Sequence, residues 1–487
     1  MRKPPPRLDR RSVLEAGFDE LRTELEISEE FAPEVLAAAR EAASKPPQGV
    51  PRAGAPTIDL TRIPFVTIDP PTSRDLDQAV HIEPDGNGYL VRYAIADPTT
   101  FVAPGSPVDL EAHRRGLTMY APDRRTPLYP PDIGEGAASL LPGVDRPSVV
   151  WQMMLDTQGE LLSTEVFRAT VRSREKLSYA QAQKHIDEAT GWPTLALLRE
   201  VGLRRQEIER SRGGVSLKLP SQEVELVDGR YHLIYDNSLP VEEWNAQVSL
   251  LAGMAAAGLM LDAGVGLLRT LPTPERQVLQ QIRLAGLTLG VDWPPDVTYA
   301  QRVSSLSPDN PKHLALLNQA VRALRGADYV AFDGTVPAEA THWAISAHYS
   351  HVTAPLRRLC DRYTNEIALA ICANDRPPEW AVEALSDLPE TMRGARRREA
   401  RLDRACVDYV EAVLLEPRVG EVFGATVTSR RGDRRSTIQI VEPAVEAMIS
   451  VGLEPASRVK VRLTDAVPAK RSVHFEVVDA PGQTAGP

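Results

Sequence analysis

Val248–Leu261, VSLLAGMAAAGLML, is apolar on every side except for Ser249 and carries no charge. A helix with that pattern must be buried all round or lie in a membrane. The run is bounded by Gln247 and Asp262 and falls short of the roughly 20 residues that span a bilayer. It therefore predicts the central helix of a large packed body. The chain of 487 residues is long enough to wrap one, with room for a large catalytic domain plus appendages. With 43% hydrophobic and 25% charged residues, it has the composition of a globular protein rather than a disordered one.

The 56 Lys and Arg residues are outnumbered by 66 Asp and Glu, giving a net charge of −10. That balance argues against coating nucleic acid by bulk positive charge, while leaving room for a local basic channel. Cys360, Cys372 and Cys406 show no Cys-x-x-Cys spacing, which argues against a cysteine zinc site or a disulfide framework and suits a reducing cytosol. The start, MRKPPPRLDRR, leads into no apolar run, so neither a secretory signal nor a membrane anchor is expected and the predicted location is cytoplasmic.

Three regions differ in pattern. Residues 1–57 hold two stretches of helical spacing, Val13–Leu25 and Pro33–Ala43, followed by a Pro/Gly-rich linker over Lys45–Pro56. They read either as a small helix-turn-helix-like module or as a helical arm packed on the next domain. Residues 58–417 alternate strand-like runs (FVTIDP, QAVHIEP, YLVRYAIAD, VVWQMMLD) with long helical stretches, predicting an α+β domain. Residues 420–479 carry five short strand candidates at regular spacing, which predict a small OB-like β-barrel able to bind single-stranded nucleic acid. Its Arg430, Arg431, Arg434, Arg435, Arg458, Lys460, Arg462, Lys470 and Arg471 form a candidate phosphate-facing surface, or alternatively an ordinary solvated one.

The chemistry concentrates in Thr67–Val80, TIDPPTSRDLDQAV. Asp69 ends a predicted strand, and Pro70–Pro71 turn the chain so that Asp75 and Asp77 can swing back toward it. Converging carboxylates repel unless a hard divalent cation with oxygen ligands neutralises them. A cation between carboxylates and phosphate is a working arrangement for phosphodiester cleavage. Aspartates in such a segment also suit capping and turns.

Around Leu356 a helix start is expected after Thr353-Ala354-Pro355, with Arg357 and Arg358 beside it, placed either to fork a phosphate or to pair with Asp361. The spacing of His342, His348 and His351 is not that of a zinc site, so these are expected to pack and hydrogen-bond. Tyr120, before Pro122 and near Arg124 and Arg125, suits either base stacking from a loop or a minor core. Arg393, Arg397, Arg401 and Arg404 fall on one predicted helical face, which reads as solvated or as an RNA track.

Together these segments resemble the ribonuclease II (RNB) family of 3′→5′ exoribonucleases, which includes ribonuclease R. The resemblance rests on TIDPPTSRDLDQA, AIADPTTFV, MYAPDRRTPLYPPDIGEGAASLLPGVDRPS, REKLSYAQA, GGVSLKLPSQEVEL, VEEWNAQVSLLAG and YSHVTAPLRRLCDR, in the family's order, over roughly Ile58–Pro417. It implies that Asp69, Asp75 and Asp77 are metal-ligating, with Asp77 the one most closely tied to cleavage and Gln78 standing where the family has a fourth aspartate. It implies that Arg357 contacts the scissile phosphate with Arg358 beside it, that Tyr120 stacks on the terminal base, and that Tyr179 lies near the terminal nucleotide. Glu243, or Glu242 one residue away, would read the sugar. The family's second stacking aromatic has no counterpart in Ser211–Leu217, and helices stand where typical members carry two cold-shock barrels.

The resemblance implies a processive, Mg²⁺-dependent exoribonuclease, with Mn²⁺ as the alternative ion. It would act as a monomer on single-stranded RNA, with no membrane or stable protein partner, and release nucleoside 5′-monophosphates. The competing expectation, prompted by Gln78, is a catalytically impaired RNA-binding protein of the same fold.

Overall fold

In the computed structural model, residues 10–45, 58–217, 219–236 and 238–479 are described. The linker expected up to Pro56, and with it the first domain boundary, lies outside them from residue 46 onward. The apolar run is the middle of a helix, Pro240–Ala263, that starts before the run and ends past it. At 24 residues this helix is long and apolar enough to cross a membrane by length and composition alone, so length does not exclude a span as the shorter run suggested. Its packing makes it a core helix: it lies against helices Pro193–Ser211 and Leu359–Cys372 and strand Val265–Thr270, and Val248, Leu251, Ala252, Ala256, Ala257 and Met260 are all but inaccessible. Gly264, in the left-handed conformation with φ +73°, ends it.

Beside it stands a six-stranded sheet in the order Ile58–Asp59, Leu161–Leu177, Phe65–Ile68, Gln78–Asp85, Gly88–Ala96 and Asp145–Leu155. The long strand Leu161–Leu177 pairs on one side with Phe65–Ile68 and on the other with Asp145–Leu155, so the sheet closes on itself. Gln78–Asp85 and Gly88–Ala96 form a hairpin around the Asp85–Gly88 turn foreseen from PDGNG. A smaller helical cluster built on Ile282, Val303, Leu316 and Leu317 sits apart from the main core.

The tail forms a five-stranded antiparallel sheet in the order Val445–Ile449, Arg435–Ile440, Val422–Arg431, Arg458–Val467 and Ser472–Asp479, curled so that its two outer strands come into contact. The two N-terminal helices do not make a module of their own. Arg10–Glu24 sends Leu14, Phe18 and Leu21 into the core it shares with the barrel. Pro33–Ser44 sends Val35 and Ala39 into the main core. The packed-arm reading describes them, because each has only one apolar face and each face is covered by a different body.

Gly253 sits where the core helix meets Tyr349 and Ser350: a Cβ there would lie 2.1 Å from Tyr349 Cε2 and 2.6 Å from the Ser350 carbonyl oxygen. Gly253→Ala is expected to cost about 1–3 kcal/mol through overpacking. The cost should read as a lower urea midpoint with an unchanged slope.

Candidate active site

Asp69 follows directly on strand Phe65–Ile68, and its N–H bonds the Leu177 carbonyl of the neighbouring strand (3.0 Å). The Pro70–Pro71 turn then brings the chain back, with Ser73 N–H donating to the Pro70 carbonyl (3.1 Å). The returning segment is pinned by Ser139, whose hydroxyl donates to the Arg74 carbonyl (2.7 Å) and accepts from Leu76 N–H (3.0 Å). Asp77 precedes strand Gln78–Asp85 and is 2% exposed.

Arg357 arrives on a turn rather than on a helix. The helix begins at Leu359, not near Leu356, with Arg358 as its extended N-cap. The preceding amides are taken by carboxylates: Ala354 N–H donates to Asp361 Oδ2 and Leu356 N–H to Asp77 Oδ1, both at 2.7 Å. The turn closes through Arg357 and Arg358 N–H to the Ala354 carbonyl (3.2 and 2.9 Å), and Arg357 Nε lies 3.3 Å from Asp77 Oδ2, with the arginine side chain 45% exposed. Arg358 turns away and grips Asp361 with Nε (2.9 Å) and Nη2 (2.7 Å). Phosphate contact from Arg358 therefore requires that pair to open. His351, Cys360 and Asp361 cluster with ligand atoms within 4.8 Å of one another, but the Asp361 carboxylate already faces a guanidinium, and His351 Nδ1 is bonded to the Tyr329 hydroxyl (2.8 Å).

Burial pushes the Asp69 carboxyl up to about 6, against its ordinary 3.8, although Arg357 and Lys176 pull the other way. Burial pushes Asp77 well above its ordinary range, again opposed by Arg357. The Asp75 charge raises both. Asp69 Oδ2 is buried and has no hydrogen-bond partner. Asp69 and Asp77 beside Arg357, the Asp75 charge reaching both, and an unpartnered buried oxygen on Asp69 suit a hard divalent cation, so these three aspartates are the candidates to hold one. Gln78 is engaged elsewhere: its amide donates to the Thr353 carbonyl (2.5 Å), and its oxygen accepts from the Tyr93 hydroxyl (3.1 Å).

Tyr120 is 49% exposed on a two-residue strand paired with Arg125–Thr126. Its hydroxyl lies 3.4 Å from Asp75 Oδ2. Arg125, directly across the ladder from Tyr120, pairs with Asp75 and, at 2.7 Å, with Glu135. Tyr179 opens the helix Tyr179–Asp187, is bonded to Asn245, and lies close enough to Asp69 and Glu242 for their charges to raise its pKa further after burial has done so. Glu243 accepts from Gln206 (2.9 Å), while Glu242 caps its own helix at Leu239 N–H (2.8 Å). Of the two glutamates, Glu242 is the one whose charge reaches Tyr179.

The contact of Arg125 with Asp75, and the parts played by Tyr93, Asn245 and the Thr353 carbonyl, were not legible in the sequence. Their roles depend on cross-strand register and on contacts between distant segments. Arg393 pairs with Asp328 (2.9 Å), while Arg397, Arg401 and Arg404 are exposed on the solvent side of helix Leu388–Leu415.

Residues 57–373 match the RNB domain family, and residues 421–478 match the RNase II-type exonuclease C-terminal S1 domain. The chain belongs to the RNB family. It is similar to the exosome complex exonuclease RRP44 homolog A of Arabidopsis thaliana, 31% identical over 338 residues, which cover 64% of this chain and 35% of that protein. It is also similar to ribonuclease R of Escherichia coli, 26% identical over 411 residues, covering 78% and 49%. The chain thus spans about a third to a half of the length of these relatives. Among solved structures, ribonuclease R of Mycoplasma genitalium in complex with ribose-methylated single-stranded RNA shares the fold, with TM-score 0.84 and 19% identity over 96% of this chain and 78% of that one. Yeast Ssd1, a pseudonuclease, shares it too, with TM-score 0.71 and 16% identity over 96% and 59%.

The raised Asp69 pKa gives metal binding a pH dependence. Without a cation, the folded state keeps a proton on Asp69 that the unfolded state has released between about pH 4 and 6, so metal-free stability falls as pH rises through that window. The cation needs the ionised form. Saturating Mg²⁺ is expected to raise Tm more at pH 8 than at pH 5, as checked by scanning calorimetry.

Proposed function

We propose that this protein is a divalent-metal-dependent 3′→5′ exoribonuclease that degrades single-stranded RNA processively to nucleoside 5′-monophosphates, as a cytoplasmic monomer with Mg²⁺ as the ion. The approach of Asp69 and Asp77 to the half-exposed Arg357, with the Asp75 charge acting on both, carries this reading. Membership of the RNB family supports it.

A bound cation would supply activation of water and stabilisation of charge on the phosphate. The chain's own groups do the rest. Arg357 is free enough to turn one edge of its guanidinium to a non-bridging phosphate oxygen while Asp77 holds the other edge. The Tyr120 ring offers a stacking face for the terminal base. Tyr179 and Glu243, with Glu242 as the one-residue alternative, are the candidates to meet the terminal nucleotide, and the ribose 2′-hydroxyl is the group that marks RNA. On the barrel, a groove of about 540 Å³ lined by Thr426, Gln439, Arg458 and Lys460 is open to a strand.

The second reading, an RNA-binding protein with an impaired centre, rests on Gln78 alone, whose amide is tied to Thr353 and Tyr93. Incubating 5′-labelled poly(A) with Mg²⁺, with and without a chelator, separates the two. A chelator-sensitive ladder ending in short oligomers supports the nuclease, and intact RNA with a gel shift supports the binder.

Asp77→Asn is expected to abolish cleavage while RNA binding is retained or improved, since it removes charge that opposes phosphate and keeps the shape. Turnover and gel-shift affinity check it, and wild-type turnover would sink the role of Asp77. Arg458→Ala combined with Lys460→Ala should flatten the salt dependence of RNA affinity, each lost phosphate contact reducing the log–log slope by about 0.7. Titrations across a salt series measure it.

A further inference from the structure

The hairpin that carries Tyr120 is held from outside the catalytic domain. Its turn closes through Ala121 N–H to the Arg124 carbonyl (3.1 Å) and presents Asp123, whose side chain is 6% exposed. Arg22 of the N-terminal helix Arg10–Glu24 meets that carboxylate with both ends of its fork, Nη1 to Oδ1 at 2.9 Å and Nη2 to Oδ2 at 2.8 Å. The same guanidinium, 5% exposed, also reaches Asp19 and Glu29, each at 2.7 Å. Arg124, next along the turn, pairs with Glu29 at 2.6 Å and with Asp19.

The helix that presents Arg22 is itself fixed. Phe18 packs edge-on against Tyr231 and Tyr409, the Tyr409 hydroxyl donates to the Val13 carbonyl (2.9 Å), and Glu24 pairs with Arg471 of the barrel. A bidentate arginine–carboxylate pair that is nearly inaccessible fixes direction as well as distance. On the inner side of the hairpin, Tyr120 and Arg125 stand opposite each other and both reach Asp75. One short ladder thus connects the base-stacking ring, the metal-ligating carboxylate and the N-terminal arm.

We propose that Arg22 is a positioning residue for the terminal-nucleotide clamp: through Asp123 it sets the Tyr120–Arg125 hairpin, and so the stacking ring, against the rest of the site. This rests on the reading of Tyr120 given under Proposed function. The N-terminal arm then tunes how long a short RNA is kept, although none of its residues need touch RNA.

The test uses the full chain as wild type, Arg22→Met/Asp123→Asn, Arg124→Gln and Tyr120→Ala. The double variant removes both members of the buried pair, so no lone charge is left inside, and Arg124→Gln perturbs the same tether from its exposed side. Two quantities are read: amide hydrogen exchange in Met119–Thr126, and the terminal oligomer length with kcat and KM on a short RNA. Full loss of a base stack corresponds to about 5- to 150-fold in affinity. The double variant should raise KM about five-fold or more with kcat within about two-fold. It should also lengthen the terminal oligomer toward that of Tyr120→Ala and speed exchange in Met119–Thr126. Arg124→Gln should do the same in smaller measure. In the Tyr120→Ala background, the double variant should lengthen the product no further. A merely structural role would lower Tm and leave product length untouched. Unchanged exchange in Met119–Thr126, or an unchanged terminal oligomer from an active enzyme, overturns the proposal. If wild type cleaves no RNA, the functional reading has failed on its own, and exchange alone decides whether Arg22 holds the hairpin.

Discussion

The site depends on the cost of holding Asp69 and Asp77 out of water with too little positive charge beside them to offset it. Asp77 is almost inaccessible, Asp69 has a buried oxygen with no partner, and the nearest positive charge is an arginine that is itself half exposed. Burial outweighs that arginine and drives both acids toward their neutral forms. The surrounding fold serves to keep the groups together despite this penalty. The closed sheet fixes Asp69 and Asp77 at neighbouring strand ends, Ser139 pins the loop between them, and the amide of Leu356 ties the Arg357 turn to Asp77. A cation held there would offset this penalty, and its affinity would then be coupled to the stability of the loop.

Gln78 shows how one position can exchange one kind of order for another. A carboxylate there would face the Thr353 carbonyl with no proton to offer. The amide instead donates to that carbonyl and accepts from Tyr93, whose hydroxyl is also bonded to Ser249 on the core helix (2.8 Å). The site loses a charge and gains a chain of hydrogen bonds from the core helix, through the hairpin strands, to the arginine turn. The RNB fold is also shared with a pseudonuclease, so architecture alone does not separate a nuclease from a binder.

Much of this was legible in local pattern. The apolar run declared a buried helix, the PDGNG turn a hairpin, and the five evenly spaced strands of the tail a small curled sheet. These follow from periodicity, turn chemistry and burial, which act over a few residues. The helix start near Leu356 was misplaced because the turn that Pro355 opens is interrupted: Arg358 is extended, bridges Leu117, and the Leu359 N–H goes to the Gly116 carbonyl, contacts with a segment far away in sequence. The paired fate of the two arginines was likewise invisible. Arg357 and Arg358 are neighbours in sequence, yet one faces Asp77 across the site and the other faces Asp361 on its own helix.

By itself, then, the sequence determined most of the helix, strand and turn segments, named candidate residues for metal and phosphate chemistry, and showed that the chain is an RNB-family protein. These are properties of residue type and short-range spacing. Only the tertiary structure decided that Arg125 would share Asp75 with Tyr120, that Gln78 would face a carbonyl rather than the carboxylates, and that an arginine in the first helix would grip the turn of a hairpin about a hundred residues away. Each of these is a pairing between charged or polar groups far apart in sequence. Its existence depends on where the packed cores place the two backbones, and no local periodicity records that distance.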